Sequence, residues 1–260
     1  MSILDQLAEH ARERVARAKA RRSAAELYRE ALALPKGDFP FERALAGPEL
    51  AFICECKKAS PSRGLIAPSF PYREIARDYE AAGADAISVL TEPRWFLGRD
   101  EYLREIAGTV SIPCLRKDFT VDEYMLAEAK LLGASAALLI CAILDAVQLR
   151  DFLAACEGLG LSALVEAHDE AEVEEALRAG ARIVGVNNRD LRDFRVDTGN
   201  SRRLRRLVPE GVLFVSESGV RGVDDVRAAR AMGADAVLVG EALMRAEDRR
   251  ALLAEWKGIG

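Results

Sequence analysis

Gly233-Ala234-Asp235-Ala236-Val237-Leu238-Val239-Gly240 closes a helix-like segment with glycine and runs straight into a short apolar burst. Four other stretches do the same: Gly83-Ala84-Asp85-Ala86-Ile87-Ser88-Val89-Leu90, Gly133-Ala134-Ser135-Ala136-Ala137-Leu138-Leu139-Ile140, Gly160-Leu161-Ser162-Ala163-Leu164-Val165-Glu166 and Gly180-Ala181-Arg182-Ile183-Val184-Gly185-Val186-Asn187. Glycine suits the left-handed residue that ends a helix, and an unbroken apolar run suits a parallel strand covered on both faces. The repeat pitch is about 25 residues, doubled where one unit lacks the glycine. Strands near Ile53, Leu115 and Phe214 fill the gaps and bring the count to that of a (β/α)8 barrel. The expected fold class is therefore α/β, a single (β/α)8 TIM barrel, whose chemistry sits at the C-terminal ends of its strands.

The expected strands fall near residues 51–57, 85–90, 113–117, 135–140, 161–166, 182–187, 212–216 and 235–239. Helices are expected near 71–82, 100–108, 121–132, 145–157, 169–179, 199–207, 222–232 and 246–256. Residues 1–48 precede the first strand. Within them Ile3 to Leu34 carries apolar positions at helical spacing among many Arg and Glu, and Pro35, Gly37, Pro40 and Pro48 punctuate a connector. This N-terminal helical extension reads as a solvated hairpin plugging the bottom of the barrel, a placement that spacing alone does not favour over a functional one. No low-complexity tract divides the remainder, so residues 1–260 are expected to form one barrel domain with that extension.

Half of the 260 residues are apolar, enough for a full barrel core. A net charge of -5 opposes a nucleic-acid surface, whose phosphates demand a cationic face, so small molecules or proteins are the expected partners. No apolar run approaches the roughly 20 residues that span a bilayer, and nothing at the N-terminus has the pattern of a signal sequence. A cytoplasmic location with reduced thiols is expected. Cys54, Cys56, Cys114, Cys141 and Cys156 lie mostly in or beside strands, which assigns them to core packing rather than to metal binding or disulfides.

Ionisable residues pointing into a barrel are anomalous, and here they collect at strand ends. The first strand carries Glu55 and Lys57, two apart and so on one face; the third ends with Lys117 and, two further, Phe119; the fifth ends with Glu166. The sixth ends with Asn187 and Arg189, and the seventh with Glu217 and Ser218. One such residue reads as a loop ion pair, whereas six or more converging on one face read as an active site. Ser218-Gly219-Val220 and Gly240-Glu241-Ala242 occupy the loops after strands seven and eight, where this fold often holds a phosphate against backbone N–H groups. The loop from Lys58 to Pro68 is long, basic and rich in small residues, read either as a surface connection or as a lid over an anionic substrate. Phe96, Phe119, Leu138 and Leu191 read either as a candidate apolar wall or as ordinary core. With two histidines in the chain, a metal site or triad built on His168 has little support.

Glu55-Cys56-Lys57-Lys58-Ala59-Ser60-Pro61-Ser62 resembles the E-x-K-x-x-S-P-S signature of the indole-3-glycerol-phosphate synthase family. In order follow Ser88-Val89-Leu90-Thr91-Glu92-Pro93 with Phe96 and Gly98, Leu115-Arg116-Lys117-Asp118-Phe119, Leu164-Val165-Glu166, Gly185-Val186-Asn187-Asn188-Arg189-Asp190-Leu191, Ser216-Glu217-Ser218-Gly219-Val220 and Val239-Gly240-Glu241-Ala242-Leu243-Met244. The resemblance covers nearly the whole chain. It implies a tryptophan-pathway lyase that closes 1-(2-carboxyphenylamino)-1-deoxyribulose 5-phosphate to indole-3-glycerol phosphate, losing carbon dioxide and water, without metal or organic cofactor. It also implies Lys117 as the general acid of the condensation and Glu166 as the group serving proton transfers, chiefly in dehydration. Glu55 and Asn187 would orient or stabilise the intermediate, and Lys57 would bind and polarise the anionic substrate and share the acid role. Ser60 and Arg189 would contact the anthranilate carboxylate, Gly219, Gly240 and the amide of Glu241 would cradle the phosphate, and Glu217 and Ser218 would wall the site. Glu241 stands where other members carry serine, so its side chain is expected to turn outward. Two competitors remain at this level: a phosphosugar isomerase on the same barrel, and a non-catalytic phosphate-binding barrel acting as a scaffold.

Overall fold

The repeated Gly-Ala-Asp turns build the barrel in a specific way. In the computed structural model, which describes residues 2–190 and 195–258, Gly83 and Gly233 adopt the left-handed φ of +88° and +74° that ends a helix without a Cβ penalty. The aspartate that follows bonds sideways: Asp85 Oδ2 accepts the backbone N–H of Phe52 at 2.8 Å, and Asp235 Oδ2 accepts that of Phe214 at 2.7 Å. Each motif thus ends a helix and ties the entry of its strand to the strand beside it.

The barrel strands are β1 (Ala51–Cys56), β2 (Ala86–Leu90), β3 (Cys114–Lys117), β4 (Ala136–Ile140), β5 (Ser162–Ala167), β6 (Ile183–Asn187), β7 (Leu213–Glu217) and β8 (Ala236–Val239). All are parallel, each paired with its chain neighbours, and β8 closes on β1 in the register Ala51↔Ala236 to Cys54↔Val239. Every expected strand is present within two residues of its bounds. Outside them lie α4 (Tyr72–Ala81), α5 (Asp100–Ala107), α6 (Tyr124–Leu131), α7 (Ala146–Leu159), α8 (Glu170–Ala179), α9 (Gly199–Arg205) and α10 (Val223–Ala231). A short helix that was not expected, α11 (Glu241–Arg245), opens directly on Gly240, and the last expected helix follows it as α12 (Arg249–Lys257). Asp248 caps α12 by accepting Ala251 N–H at 2.9 Å.

The extension forms α1 (Ile3–Arg21), α2 (Ala24–Ala33) and α3 (Pro40–Leu45), and its placement corrects the expected bottom plug. The long helix α1 lies over the C-terminal face. Its polar side reaches the loops after β2 and β3: His10 Nδ1 is 3.2 Å from Glu92 Oε1, Arg14 donates to both oxygens of Asp118 at 2.6 and 3.1 Å, and Lys19 donates to Asp122 at 2.7 Å. From there α2 descends along α6, and α3 meets the N-terminal end, where Glu42 accepts Arg182 at 2.9 and 3.0 Å. Arg14 and Lys19, matched to loop carboxylates, draw α1 to the C-terminal end, and those partners lie 104 and 103 residues away in sequence.

Candidate active site

Strand alternation selects the inward groups. On β3, Arg116 points out and donates to Met125 O at 2.8 Å and Asp100 Oδ1 at 2.9 Å in the helix layer, so Lys117 points in. On β1, Glu55 and Lys57 line the cavity while Cys54 and Cys56 are buried on the other face. Glu55, Lys57, Lys117, Glu166, Asn187 and Glu217 meet on the floor of this cavity, a concave site at the strand ends.

Two lysines alternate with three carboxyl groups there. Lys57 Nζ donates to Glu55 Oε1 at 2.6 Å, and Ser88 Oγ of β2 donates to Glu55 Oε2 at 3.3 Å. Lys117 Nζ donates to Glu166 Oε2 at 3.3 Å and lies 3.5 Å from Glu217 Oε2. Burial works against the charge of Glu55, but Lys57 and Lys117 outweigh it and hold the carboxyl below its ordinary range. Burial likewise opposes the Lys117 ammonium, and Glu166, Glu217 and Glu55 more than offset it, raising the group above its ordinary value. For Glu217 burial wins. Despite Lys117, and with Glu166 and Glu55 adding repulsion, its carboxyl is pushed up to about 8. Burial opposes Glu166 too, but Lys117 and His168 keep it below the ordinary range. At neutral pH the Lys117 ammonium therefore stands among the Glu55 and Glu166 carboxylates and the Glu217 carboxylic acid, opposite charges paired as a buried cluster requires.

Backbone without side chains makes room for this cluster. A Cβ at Gly240 would stand 2.6 Å from Glu55 Oε1 and 3.1 Å from Lys57 Nζ. A Cβ at Gly185 on β6 would overlap Glu217 Oε1, an atom that is buried without a hydrogen-bond partner. Asn187 helps to keep the Glu166 carboxyl below its ordinary range and accepts the N–H of Arg189 at 3.0 Å. Asn188 donates to Ser216 Oγ at 3.2 Å and to Ser218 O at 3.0 Å, which holds Ser218 at its left-handed φ of +65°.

The walls are set by buried carboxylates. Glu92 is fully buried and accepts the N–H groups of Arg94, Trp95 and Phe96 at 2.9, 2.7 and 3.0 Å, which turns Phe96 into the cavity. Asp118 accepts Thr91 Oγ1 at 2.6 Å, Phe119 N–H at 2.8 Å and both Arg14 contacts, fixing the loop that carries Phe119. The Phe96 and Phe119 rings lie 6.1 Å apart, Leu138 faces them from β4, and Ile3 and Leu7 of α1 complete the apolar side. Leu191, the remaining expected wall residue, lies outside the described residues.

At the other end, Ser218, Gly219, Gly240 and Glu241 border a second recess that adjoins the first through Glu55, Lys57 and Arg189. The loop after β1 folds as a small hairpin, Ala59–Ser60 against Gly64–Leu65, that brings Ser60 and Ser62 to the cavity, while Lys58 serves through its carbonyl, which accepts Ile66 and Ala67 N–H at 2.9 and 3.0 Å. The Glu241 side chain does not turn outward. Its carboxylate lies 3.0 Å from Arg63 Nε, 3.4 Å from Arg245 Nε and 3.8 Å from Arg189 Nη2, drawn to the cations that converge at the mouth.

Ser88, Gly185 and His168 are part of the site although sequence reasoning did not assign them to it. Ser88 was visible as the first residue of its motif, and Gly185 as a glycine inside a strand, a signal of close approach. All five cysteines are free and buried, and burial pushes the thiols of Cys114, Cys141 and Cys156 up to about 12, leaving them inert core groups. Among the described residues no group of three or more His, Cys, Asp or Glu is placed to hold a metal ion, and no helix is long and apolar enough to cross a membrane.

Comparison with solved structures supports the fold alone: the chain superimposes on thiamine phosphate pyrophosphorylase from Pyrococcus furiosus with a TM-score of 0.59 at 18% identity, covering 83% of this chain and 95% of that one. N-acetylmannosamine-6-phosphate 2-epimerase from Clostridium perfringens gives 0.58 at 16% identity, over 74% and 86%. Sequence relatives are far nearer. The indole-3-glycerol phosphate synthase of Ruminiclostridium cellulolyticum is 56% identical over 257 residues, covering 98% of this chain and 99% of the relative. Those of Endomicrobium trichonymphae and Lacticaseibacillus paracasei are 51% and 50% identical over 256 residues, each across 98% of this chain. With the family model matching residues 4–256 as well, the chain belongs to the indole-3-glycerol phosphate synthase family.

Proposed function

We propose how this site performs the indole-3-glycerol-phosphate synthase reaction, the carboxy-lyase activity of tryptophan biosynthesis that membership of the family gives the chain. The observation that carries the reading is the Lys117 ammonium, partly buried between Glu166 and Glu217 at 3.3 and 3.5 Å on the cavity floor. The substrate lies with its carboxyphenyl ring between Phe96, Phe119 and Leu138, its carboxylate toward Ser60 and Arg189, and its phosphate toward Gly219, Gly240 and the amide of Glu241. Ser218 belongs to the same walls. The ribulose carbonyl then faces Lys117.

In the condensation, the ring carbon bearing the carboxylate attacks the ketone carbon. A carbon-carbon bond forms, and the carbonyl electron pair moves to oxygen. Lys117 stabilises that charge and passes its proton to the alkoxide; a lysine whose neighbours hold its proton firmly releases it only to so strong a base. Glu217, still protonated at neutral pH, is the adjacent acid from which Lys117 is recharged. Carbon dioxide leaves, and its bonding electrons restore the aromatic ring. Dehydration follows: the hydroxyl departs with a proton from Lys57 or Lys117, and Glu166 as carboxylate takes the proton from the adjacent ring carbon. Glu55 holds Lys57 in place, and Asn187 holds Glu166. The substrate is thus a small phosphorylated molecule, and cytoplasmic action without metal or cofactor is the expected setting.

Purified protein should convert the carboxyphenylamino deoxyribulose phosphate to an indole product, with the carbon dioxide released in equal amount. No product at saturating substrate would reject the reading.

A further inference from the structure

His168 leaves β5 two residues after Glu166, and its ring stands on the far side of that carboxylate from Lys117. Lys117 donates to Glu166 Oε2, whereas His168 Nε2 lies 3.6 Å from Oε1. This Nε2 is buried and has no hydrogen-bond partner. The rest of the residue is clamped. His168 Nδ1 lies 3.4 Å from Glu172 Oε2 in the first turn of α8, and the same oxygen accepts the His168 backbone N–H at 2.7 Å. The His168 carbonyl accepts Asn200 Nδ2 at 3.0 Å, and Asn200 Oδ1 accepts Arg203 at 2.6 Å. Glu172, His168, Glu166 and Lys117 thus form a line of alternating carboxylate, imidazole, carboxylate and ammonium running from α8 to the cavity floor.

We propose that His168 is a positioning residue for Glu166: anchored by Glu172, it presents Nε2–H to Oε1 and keeps Oε2 turned toward Lys117 and the substrate. The proposal rests on Glu166 being the base of the reaction. Burial disfavours the imidazolium, but Glu172, Glu166 and Glu217 outweigh it and lift the ring to about 8, so both ring nitrogens carry protons at neutral pH. That cation also helps hold Glu166 ionised. The groups facing Glu166 are Lys117 from β3, Glu217 from β7, Asn187 from β6, the Cys141 thiol just after β4 and His168 itself. Of these only His168 approaches Oε1 as a titratable cation.

The test is steady-state kinetics of His168→Ala, His168→Gln, Glu172→Gln and Glu166→Gln across pH 5 to 9. His168→Ala should lower kcat about 10-fold through a misplaced carboxylate, keep KM within about two-fold, and move the acid-side midpoint of kcat to higher pH. His168→Gln, which keeps a donor but no charge, should recover most of kcat at neutral pH with the midpoint still displaced; this variant decides the matter if the alanine form does not fold. Glu172→Gln should move the midpoint in the same direction by less. A wild-type kcat and midpoint in the His168 variants, beside an inactive Glu166→Gln, would overturn the role of His168 alone. A fully active Glu166→Gln would remove the base itself, and the proposal with it.

Discussion

Gly240→Ala is the sharpest probe of how the backbone shapes this site. Gly240 has φ of -125°, so alanine brings no left-handed strain, and its effect must come from the added methyl. That carbon would sit 2.6 Å from Glu55 Oε1, 3.1 Å from Lys57 Nζ and 3.2 Å from Glu55 Cβ. Ordinary carbon-oxygen contact begins near ~3.4 Å, so the carboxylate must retreat by roughly 0.8 Å, from a pocket in which Glu55 is only 4% exposed. Retreat breaks the 2.6 Å bond to Lys57 and leaves that ammonium misplaced. Overpacking of this kind costs about 1–3 kcal/mol, which at about 2–4 °C per kcal/mol lowers Tm by several degrees. Displacement of a reacting group by close to 1 Å lowers kcat by about 10- to 100-fold. The assays are calorimetric Tm and turnover by indole fluorescence. Adding Glu55→Asp, which draws the carboxylate back by one methylene, should recover part of the Tm loss, a coupling that a double-mutant cycle reads directly. Wild-type Tm and kcat in the single variant, or strict additivity in the double, would mean that the Gly240 backbone does not set the position of Glu55.

Glu217→Gln tests the buried carboxylic acid. Its folded-state value near 8 lies above the ordinary 4.5, so its contribution to stability is fully present below pH 4.5 and is lost as pH rises through about 8. The Tm of wild type relative to Glu217→Gln should therefore fall from pH 5 to pH 9, and a difference independent of pH would contradict it. Glu241→Gln tests the carboxylate among the mouth arginines. Removing its charge lifts about 1 kcal/mol of repulsion from an entering anion, so KM should drop about five-fold at low ionic strength, less in high salt, with kcat unchanged. An unchanged or higher KM would show that the carboxylate does not face the bound phosphate.

The barrel was legible because its punctuation is chemical. A glycine in the left-handed region, an aspartate bonding the neighbouring strand and an apolar run form one local unit, seen in full at Gly83-Ala84-Asp85 and Gly233-Ala234-Asp235. The polar groups of the floor were legible for a related reason, since alternation places Glu55 and Lys57 on one face once the strand is known. The position of α1 was not. Amphipathic spacing says that a helix has a face to bury, and not which end of the barrel will receive it; the decision rests on Arg14 with Asp118 and Lys19 with Asp122, pairs over 100 residues apart. Glu241 turned inward for a similar cause, because Arg63 and Arg189 arrive from distant loops to meet it. His168 was dismissed as a metal or triad residue, and its contact with Glu166 depends on a loop conformation set by Glu172 and Asn200.

Whether Lys117 is the acid of an indole-forming ring closure is decided by following indole fluorescence as wild type and Lys117→Ala each meet the carboxyphenylamino deoxyribulose phosphate. A steady rise is expected with wild type and a rate lower by about 10³-fold or more with Lys117→Ala, while substrate binding persists through the adjoining phosphate recess. A Lys117→Ala rate within ten-fold of wild type would contradict that role.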